Sequence, residues 1–232
     1  MPNLILVRHG QSEWNLANRF TGWWDVDVTE QGVAEARAAG RLLKDKGILP
    51  TIAFTSVQKR AIKTLHLALE EAGRLWIPET KNWQLNERHY GGLTGLDKQE
   101  TRARHGDEQV QIWRRSFDVP PPEMPKGDRY DPGNDPRYEG IDVPQTESLK
   151  MTIERVLPYW NTAILPQLEA GETVIISAHG NSLRALVKHL SGISDEEITG
   201  LEIPTGQPII YPFEADGSGR LVPGARYYLK DA

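Results

Sequence analysis

Two apolar runs at opposite ends of the chain constrain its folding more than any other feature. Leu4-Ile5-Leu6-Val7 leads into Arg8-His9-Gly10, and Val174-Ile175-Ile176-Ser177 leads into Ala178-His179-Gly180. A strand buried on both faces of a parallel sheet reads as such a run. In open sheets of this kind, ligands collect in the crevice beyond the carboxyl ends of the strands. If both runs are parallel strands of one sheet, His9 and His179 meet in that crevice from distant parts of the sequence.

Between the runs, strand and helix signals alternate. Thr29 is placed to cap a helix over about Glu30–Lys46, which Gly47 closes. A short strand at Ile52–Thr55 precedes a helix from about Val57 to Ala72, and strand-like residues recur at Asn82–Leu85. Two short helices, about Asp97–His105 and Asp107–Ser116, divide at Gly106. Thr146 is placed to cap a long helix from about Glu147, kinked or interrupted by Pro158 and Pro166. A strand at Thr173–Ser177 and a helix at Ser182–Leu190, capped by Asn181 or Ser182, follow. Ser194-Asp195-Glu196-Glu197 is a capping box. Pro208–Phe213 and Ala225–Leu229 read as a terminal hairpin across Asp216-Gly217-Ser218-Gly219.

This order predicts an α/β fold: a three-layer α/β/α sandwich, its sheet mostly parallel, with a C-terminal antiparallel strand or hairpin. One domain over residues 1–232 accommodates it. Only residues 118–146 break the rhythm. They hold seven prolines and no usable periodicity, the mark of a functional lid or a disordered segment near the active site.

Composition excludes several classes of function. A net charge of −5 without a basic end argues against nucleic-acid or anionic-membrane binding. The absence of cysteine removes catalytic thiols, disulfides and thiolate metal sites. No apolar stretch approaches the roughly 20 residues of a membrane span, and no signal peptide is visible, so a cytoplasmic enzyme is expected.

Arg8 strengthens the chemical reading of His9, because a guanidinium matches phosphate bidentately. Ser12 and Asn15 are near enough to donate to phosphate oxygens, and Arg60 enters the first turn of the helix after the second strand. Arg114-Arg115 is a cationic pair at a helix end that also fits a solvated face. Glu87, among Arg88, His89, Tyr90 and Lys98, is a candidate general acid–base or part of a charged surface loop. There is no P-loop, no acidic cluster for magnesium and no HExxH, so no metal is expected. The set suits phosphate held by arginines and accepted covalently on a histidine nitrogen.

At these residues the chain resembles the histidine phosphatase superfamily, and within it the cofactor-dependent phosphoglycerate mutases. The resemblance rests on Leu6-Val7-Arg8-His9-Gly10-Gln11-Ser12-Glu13-Trp14-Asn15 and Phe20-Thr21-Gly22-Trp23. It extends through Glu87–Leu93, Gly106–Gln109, Trp113-Arg114-Arg115 and Ala178–Arg184, so it covers nearly the whole chain. It implies an isomerase of glycolysis and gluconeogenesis that interconverts 3-phosphoglycerate and 2-phosphoglycerate, with 2,3-bisphosphoglycerate as the primer. It implies His9 as the phosphorylated residue, Glu87 as proton donor and acceptor, and His179, Arg8 and Arg60 as the remaining catalytic groups. Gln11, Ser12, Asn15, Thr21, Gly22, Arg88, His89, Tyr90, Lys98, Arg114, Arg115, Gly180 and Asn181 would complete the substrate pocket. A homodimer or homotetramer is the assembly the family suggests. The alternative on the same scaffold is a phosphatase that passes the phosphohistidine to water.

Two departures from the family pattern bear on the site. Longer members carry a flexible tail over the active-site mouth, whereas this chain stops at Tyr227-Tyr228-Leu229-Lys230-Asp231-Ala232. Either no such cover is needed or the proline-rich loop supplies it. Asp97 stands where many members have Asn, and its charge either weakens the hold of Lys98 on phosphate or faces outward.

Overall fold

Successive side chains of β1 (Asn3–Arg8) enter opposite cores. Leu4 and Leu6 join one cluster and Ile5 and Val7 the other, all four with no exposed surface. A strand sealed on both faces explains why the run shows no alternation. The computed structural model describes residues 1–230. In chain order, β1 is followed by α1 (Glu13–Leu16), α2 (Glu30–Asp45), β2 (Ile52–Thr55), α3 (Lys59–Glu71) and β3 (Glu79–Lys81). Then come α4 (Lys98–His105), α5 (Asp107–Arg115), α6 (Leu149–Tyr159), α7 (Leu165–Glu169), β4 (Val174–Ala178), α8 (Gly180–Ser191) and α9 (Asp195–Gly200). The antiparallel strands β5 (Ile209–Ala215), β6 (Leu221–Pro223) and β7 (Tyr227–Tyr228) complete the order.

Among the described residues these seven strands form one sheet, ordered β3-β2-β4-β1-β5-β6, with β7 also on β5. The first three pairings are parallel, and β5 runs antiparallel to β1. Helices α2 and α3 cover one face, where Ala39, Leu43, Leu65 and Leu69 meet Ile5, Ala53 and Ile175. Helices α6 and α8 cover the other, where Val156, Leu183 and Leu186 meet Leu4, Phe54 and Ile176. The α/β sandwich with C-terminal antiparallel strands is therefore present as expected.

Several local expectations are corrected. Asn82–Leu85 is not a strand: the strand is Glu79–Lys81, and Asn82 caps a tight turn over Trp83–Leu85 by accepting from the Gln84 N–H at 2.8 Å. Ser148, not Thr146, caps α6, while the Thr146 hydroxyl donates to the Pro121 carbonyl at 2.8 Å. The expected long helix divides at a widened turn, Trp160–Ile164, between Pro158 and Pro166, two residues that lack an N–H. His179 itself is the N-cap of α8, so Asn181 and Ser182 lie inside its first turn. The return strand of the terminal hairpin is split at Gly224, giving β6 and β7 in place of Ala225–Leu229 alone.

Residues 118–146 are packed against the body by aromatic anchors. Tyr138 is buried with its ring 4.8 Å from Trp23, and its hydroxyl accepts from Asn86 Nδ2 at 3.0 Å. Arg137 pairs with Asp25, and Tyr130 packs edge-on against Trp14 and Trp24.

Helices α2 and α3 pack closely at Gly40, where an added Cβ would lie 2.2 Å from the Ala68 carbonyl oxygen. Replacing Gly40 by Ala improves helix propensity yet forces two backbones apart. The Gly40→Ala protein is expected to lose about 1–3 kcal/mol of stability in urea denaturation.

Candidate active site

The parallel pairing of β1 with β4 sets Val7 opposite Ser177 and Arg8 opposite Ala178. The His9 N–H continues the ladder by donating to the Ala178 carbonyl at 3.0 Å. As the two strands end, the imidazoles of His9 and His179 come to 5.1 Å between centroids. Beyond His9 the backbone passes close to the start of α2, where a Cβ at Gly10 would stand 2.2 Å from the Gly32 carbonyl oxygen.

His9 is 3% exposed, and its Nδ1 lies 2.8 Å from the Gly10 carbonyl oxygen. A carbonyl only accepts, so Nδ1 carries the proton and Nε2 keeps its lone pair. Arg60 Nε donates to that Nε2 at 3.3 Å. Burial, then the positive charges of Arg60 and Arg8, holds the His9 pKa well below 6.5 against the opposing Gly10 hydrogen bond. The result is a neutral imidazole whose unprotonated Nε2 accepts from Arg60.

Arg60, in the first turn of α3, is 1% exposed and donates to the carbonyls of Gly22 at 2.9 Å and Trp24 at 3.0 Å. Burial lowers its pKa to about 10, so it stays charged at neutral pH. Arg8 donates to the Ile203 carbonyl at 2.8 Å, and its buried Nε has no partner among the described residues.

Glu87 sits across the pocket, 8% exposed. Its Oε1 accepts from the N–H groups of Arg88 at 2.7 Å and Asn181 at 3.1 Å, and from Asn181 Nδ2 at 2.9 Å. The open N-terminus of α8 thus already holds an anion, the Glu87 carboxylate. Arg184 donates to Asn181 Oδ1 at 3.1 Å, which turns the amide so that Nδ2 faces Glu87. Among the described residues none donates to Glu87 Oε2. The Glu87 backbone is fixed by Gln58 Oε1 on its N–H at 2.8 Å, and by Trp23 Nε1 at 2.6 Å and Arg155 at 2.8 Å on its carbonyl.

Arg8, His9, Arg60, Glu87, Asn181 and Arg184 line a cavity of about 130 Å³ together with Asn15, Thr21, Gly22, Tyr90, Lys98, Arg114, Arg115 and Gly180, whereas His179 and Arg88 are not part of its wall. Burial, followed by neighbouring charges, lowers the pKa of Lys98, Arg114 and Arg115. Arg88 donates to the carbonyls of Trp113 and Arg114, both at 3.1 Å, and so anchors the end of α5 that presents Arg114 and Arg115. Asp97 caps α4 by accepting from the N–H groups of Gln99 and Glu100 at 2.7 and 2.9 Å. Its charge serves the helix start. Among the described residues no group of three or more His, Asp or Glu is placed to hold a metal ion.

A model of the histidine phosphatase superfamily (branch 1) matches residues 4–133 and 129–222. The chain is 80% identical to the 2,3-bisphosphoglycerate-dependent phosphoglycerate mutase of Erythrobacter litoralis (strain HTCC2594), covering 100% of both chains. It is 73% identical to the protein of the same name from Novosphingobium aromaticivorans, again over 100% of both. The chain belongs to the histidine phosphatase superfamily, among its 2,3-bisphosphoglycerate-dependent phosphoglycerate mutases. Its fold is also that of mycobacterial hydrolase 1, with a TM-score of 0.73 at 20% identity, over 97% of this chain and 98% of the other. No described helix is long and apolar enough to cross a membrane.

Not every residue of the mutase motifs reaches the cavity wall. The Gln11 N–H donates to Glu35 Oε2 at 2.8 Å, and its side chain accepts from Thr29 at 2.9 Å. Ser12 is fully buried and caps α1, exchanging hydrogen bonds with Asn15. His89 packs 5.7 Å from Trp23 and accepts from the Gly91 N–H at 3.0 Å. Conversely, Arg19, Phe20, Arg184, Glu202 and Ile203 line the cavity without a sequence signal that singles them out. Glu202 pairs with Arg115 at the rim. Ser56 and Gln58, buried behind the site, follow the carboxyl end of β2, where the same edge rule that found His9 applies.

The buried His89 has a testable consequence for pH. Burial lowers its pKa from 6.5 to about 4, so below 6.5 the unfolded chain takes up a proton that the folded one refuses. Stability is complete above that pH and declines as pH falls towards 4, by about 2–3 kcal/mol from this residue. Urea denaturation at about pH 7 and pH 4.5 is expected to show the loss, reduced in a His89→Asn protein.

Proposed function

We propose that this chain interconverts 3-phosphoglycerate and 2-phosphoglycerate by passing a phosphoryl group through His9. The observation that carries the reading is the neutral His9 Nε2 at 3.3 Å from Arg60 Nε, in the wall of a cavity where Glu87 Oε2 has no donor among the described residues. The near-identical length and 80% identity to a named mutase support the same reaction here.

With His9 loaded, the Glu87 carboxylate removes the proton of a substrate hydroxyl as that oxygen takes the phosphoryl group from His9 Nε2. In the return step His9 Nε2 attacks the phosphorus of the neighbouring phosphoester, and the departing oxygen takes back the proton from Glu87. Transfer to one hydroxyl and recovery from its neighbour gives isomerisation without release of phosphate. The free Nε of Arg8 and the cationic wall of Lys98, Arg114 and Arg115 suit the substrate's phosphate and carboxylate. Fixed charges around the transferring group are worth on the order of a hundred- to a thousandfold each.

The same groups fit 2,3-bisphosphoglycerate, a trianionic-to-pentaanionic ligand that needs such a wall. When bound, it supplies the phosphoryl group that loads His9. The 118–146 segment, anchored by Tyr130 on Trp14 and Trp24, belongs to the same single catalytic domain but contributes no residue to the cavity wall.

Purified protein given 3-phosphoglycerate, with and without 2,3-bisphosphoglycerate, is expected to form 2-phosphoglycerate far faster with the primer and to release little free phosphate. Phosphate release exceeding isomerisation would overturn the mutase reading in favour of a phosphatase. A His9→Ala protein is expected to fold and to lose all turnover; full turnover would sink the role of His9.

A further inference from the structure

Among the described residues two carboxylates, Glu87 and Glu202, stand in a cavity wall otherwise dominated by arginines and Lys98. They are held very differently. Glu87 is buried, and its Oε1 accepts from the N–H groups of Arg88 and Asn181 and from Asn181 Nδ2. The Glu202 side chain is 68% exposed, and Arg115 is its one partner among the described residues. Its backbone has less freedom, because the next residue, Ile203, is buried and accepts from Arg8 at 2.8 Å on its carbonyl. A fixed stretch of chain thus carries a loose carboxylate to the mouth of a cationic cavity.

A negative charge there works against an anionic ligand. Orienting Arg115 does not require it, since carbonyl oxygens orient Arg8, Arg60 and Arg88 and leave their charge available. An exposed ion pair is also weak, so the contact between Arg115 and Glu202 opens easily to a stronger anion. Glu202 therefore sets how tightly the ligand is held.

We propose that Glu202 is a displaceable counter-ion: it competes with a polyanionic phosphoester for Arg115, turns into solvent when the ligand wins, and so loosens the site's hold on its most highly charged ligands. The proposal rests on the reading of this cavity as a phosphoglycerate site. Two effects add. The ligand must break the ion pair to gain Arg115, and the displaced carboxylate still repels the ligand from nearby. That repulsion grows with ligand charge, so 2,3-bisphosphoglycerate is loosened more than 3-phosphoglycerate. Affinity lost in this way appears as faster release.

Affinity is the test, measured by calorimetry in the full-length His9→Ala protein so that no phosphoryl group moves. Adding Glu202→Gln is expected to lower the Kd for 2,3-bisphosphoglycerate by about three- to tenfold at low salt, and that for 3-phosphoglycerate by less. The gain is expected to shrink at about 0.3 M salt, and to fall by about half or more in an Arg115→Gln background. Glu214→Gln makes the same change in net charge elsewhere: β5 pairs Pro212 with Asn3, so Glu214 lies beyond the amino end of β1, away from His9. It is expected to leave both Kd values unchanged. A Kd that Glu202→Gln leaves unchanged or raises, an equal gain in Glu214→Gln, or an equal gain without Arg115 overturns the counter-ion role while the phosphoglycerate reading stands. Failure of all these proteins to bind 2,3-bisphosphoglycerate would overturn that reading, and the proposal with it.

Discussion

The register of β1 against β4 is the constraint on which the site depends. A shift of one residue would turn every side chain of β1 to the opposite core, and His9 would leave His179. The register is held because Leu4 and Leu6 must enter one core and Ile5 and Val7 the other, each with no exposed surface. The same apolar burial that builds the sheet therefore sets the 5.1 Å between the two imidazoles. No catalytic residue contributes to that choice.

The second principle of the site is how its guanidinium groups are held. Arg60 is tied to the carbonyls of Gly22 and Trp24, Arg8 to that of Ile203, Arg88 to those of Trp113 and Arg114, and Arg184 to that of Ile198. A carbonyl satisfies a donor and fixes its direction without cancelling its charge. Carboxylate partners would hold these arginines equally well and leave nothing for an anionic ligand. Two exceptions fit the pattern. Arg155, behind the site, is neutralised by Glu147 at 2.6 Å, and Arg115, at the rim, meets the exposed Glu202.

Sequence reading found what local physics dictates. Strands β1 and β2 and the caps at Thr29 and Ser194 follow from apolar runs and capping chemistry, and the structure keeps them. It failed at Glu79–Lys81, an edge strand so polar that its β character comes from pairing with β2. The residues that end the strands, His9 and His179, were legible because the edge of a parallel sheet is a predictable place. Arg184 and Glu202 were not, because their arrival at the cavity depends on how α8 and the segment before β5 pack. Ser12 and His89 show the reverse error: nearness to a motif in sequence does not turn a side chain towards the cavity.

The position of β1 also governs when the protein can form. It is made before the other described strands, yet it lies in the interior of the sheet between β4 and β5, the strands beginning at Val174 and Ile209. At roughly 5–20 residues per second, its partners follow on the order of ten to forty seconds later. Throughout that interval Leu4–Val7 is an unpaired apolar segment, the kind of sequence that aggregates or engages a chaperone. The strand that leads into His9 is thus also the part of the chain most exposed to hazard during synthesis.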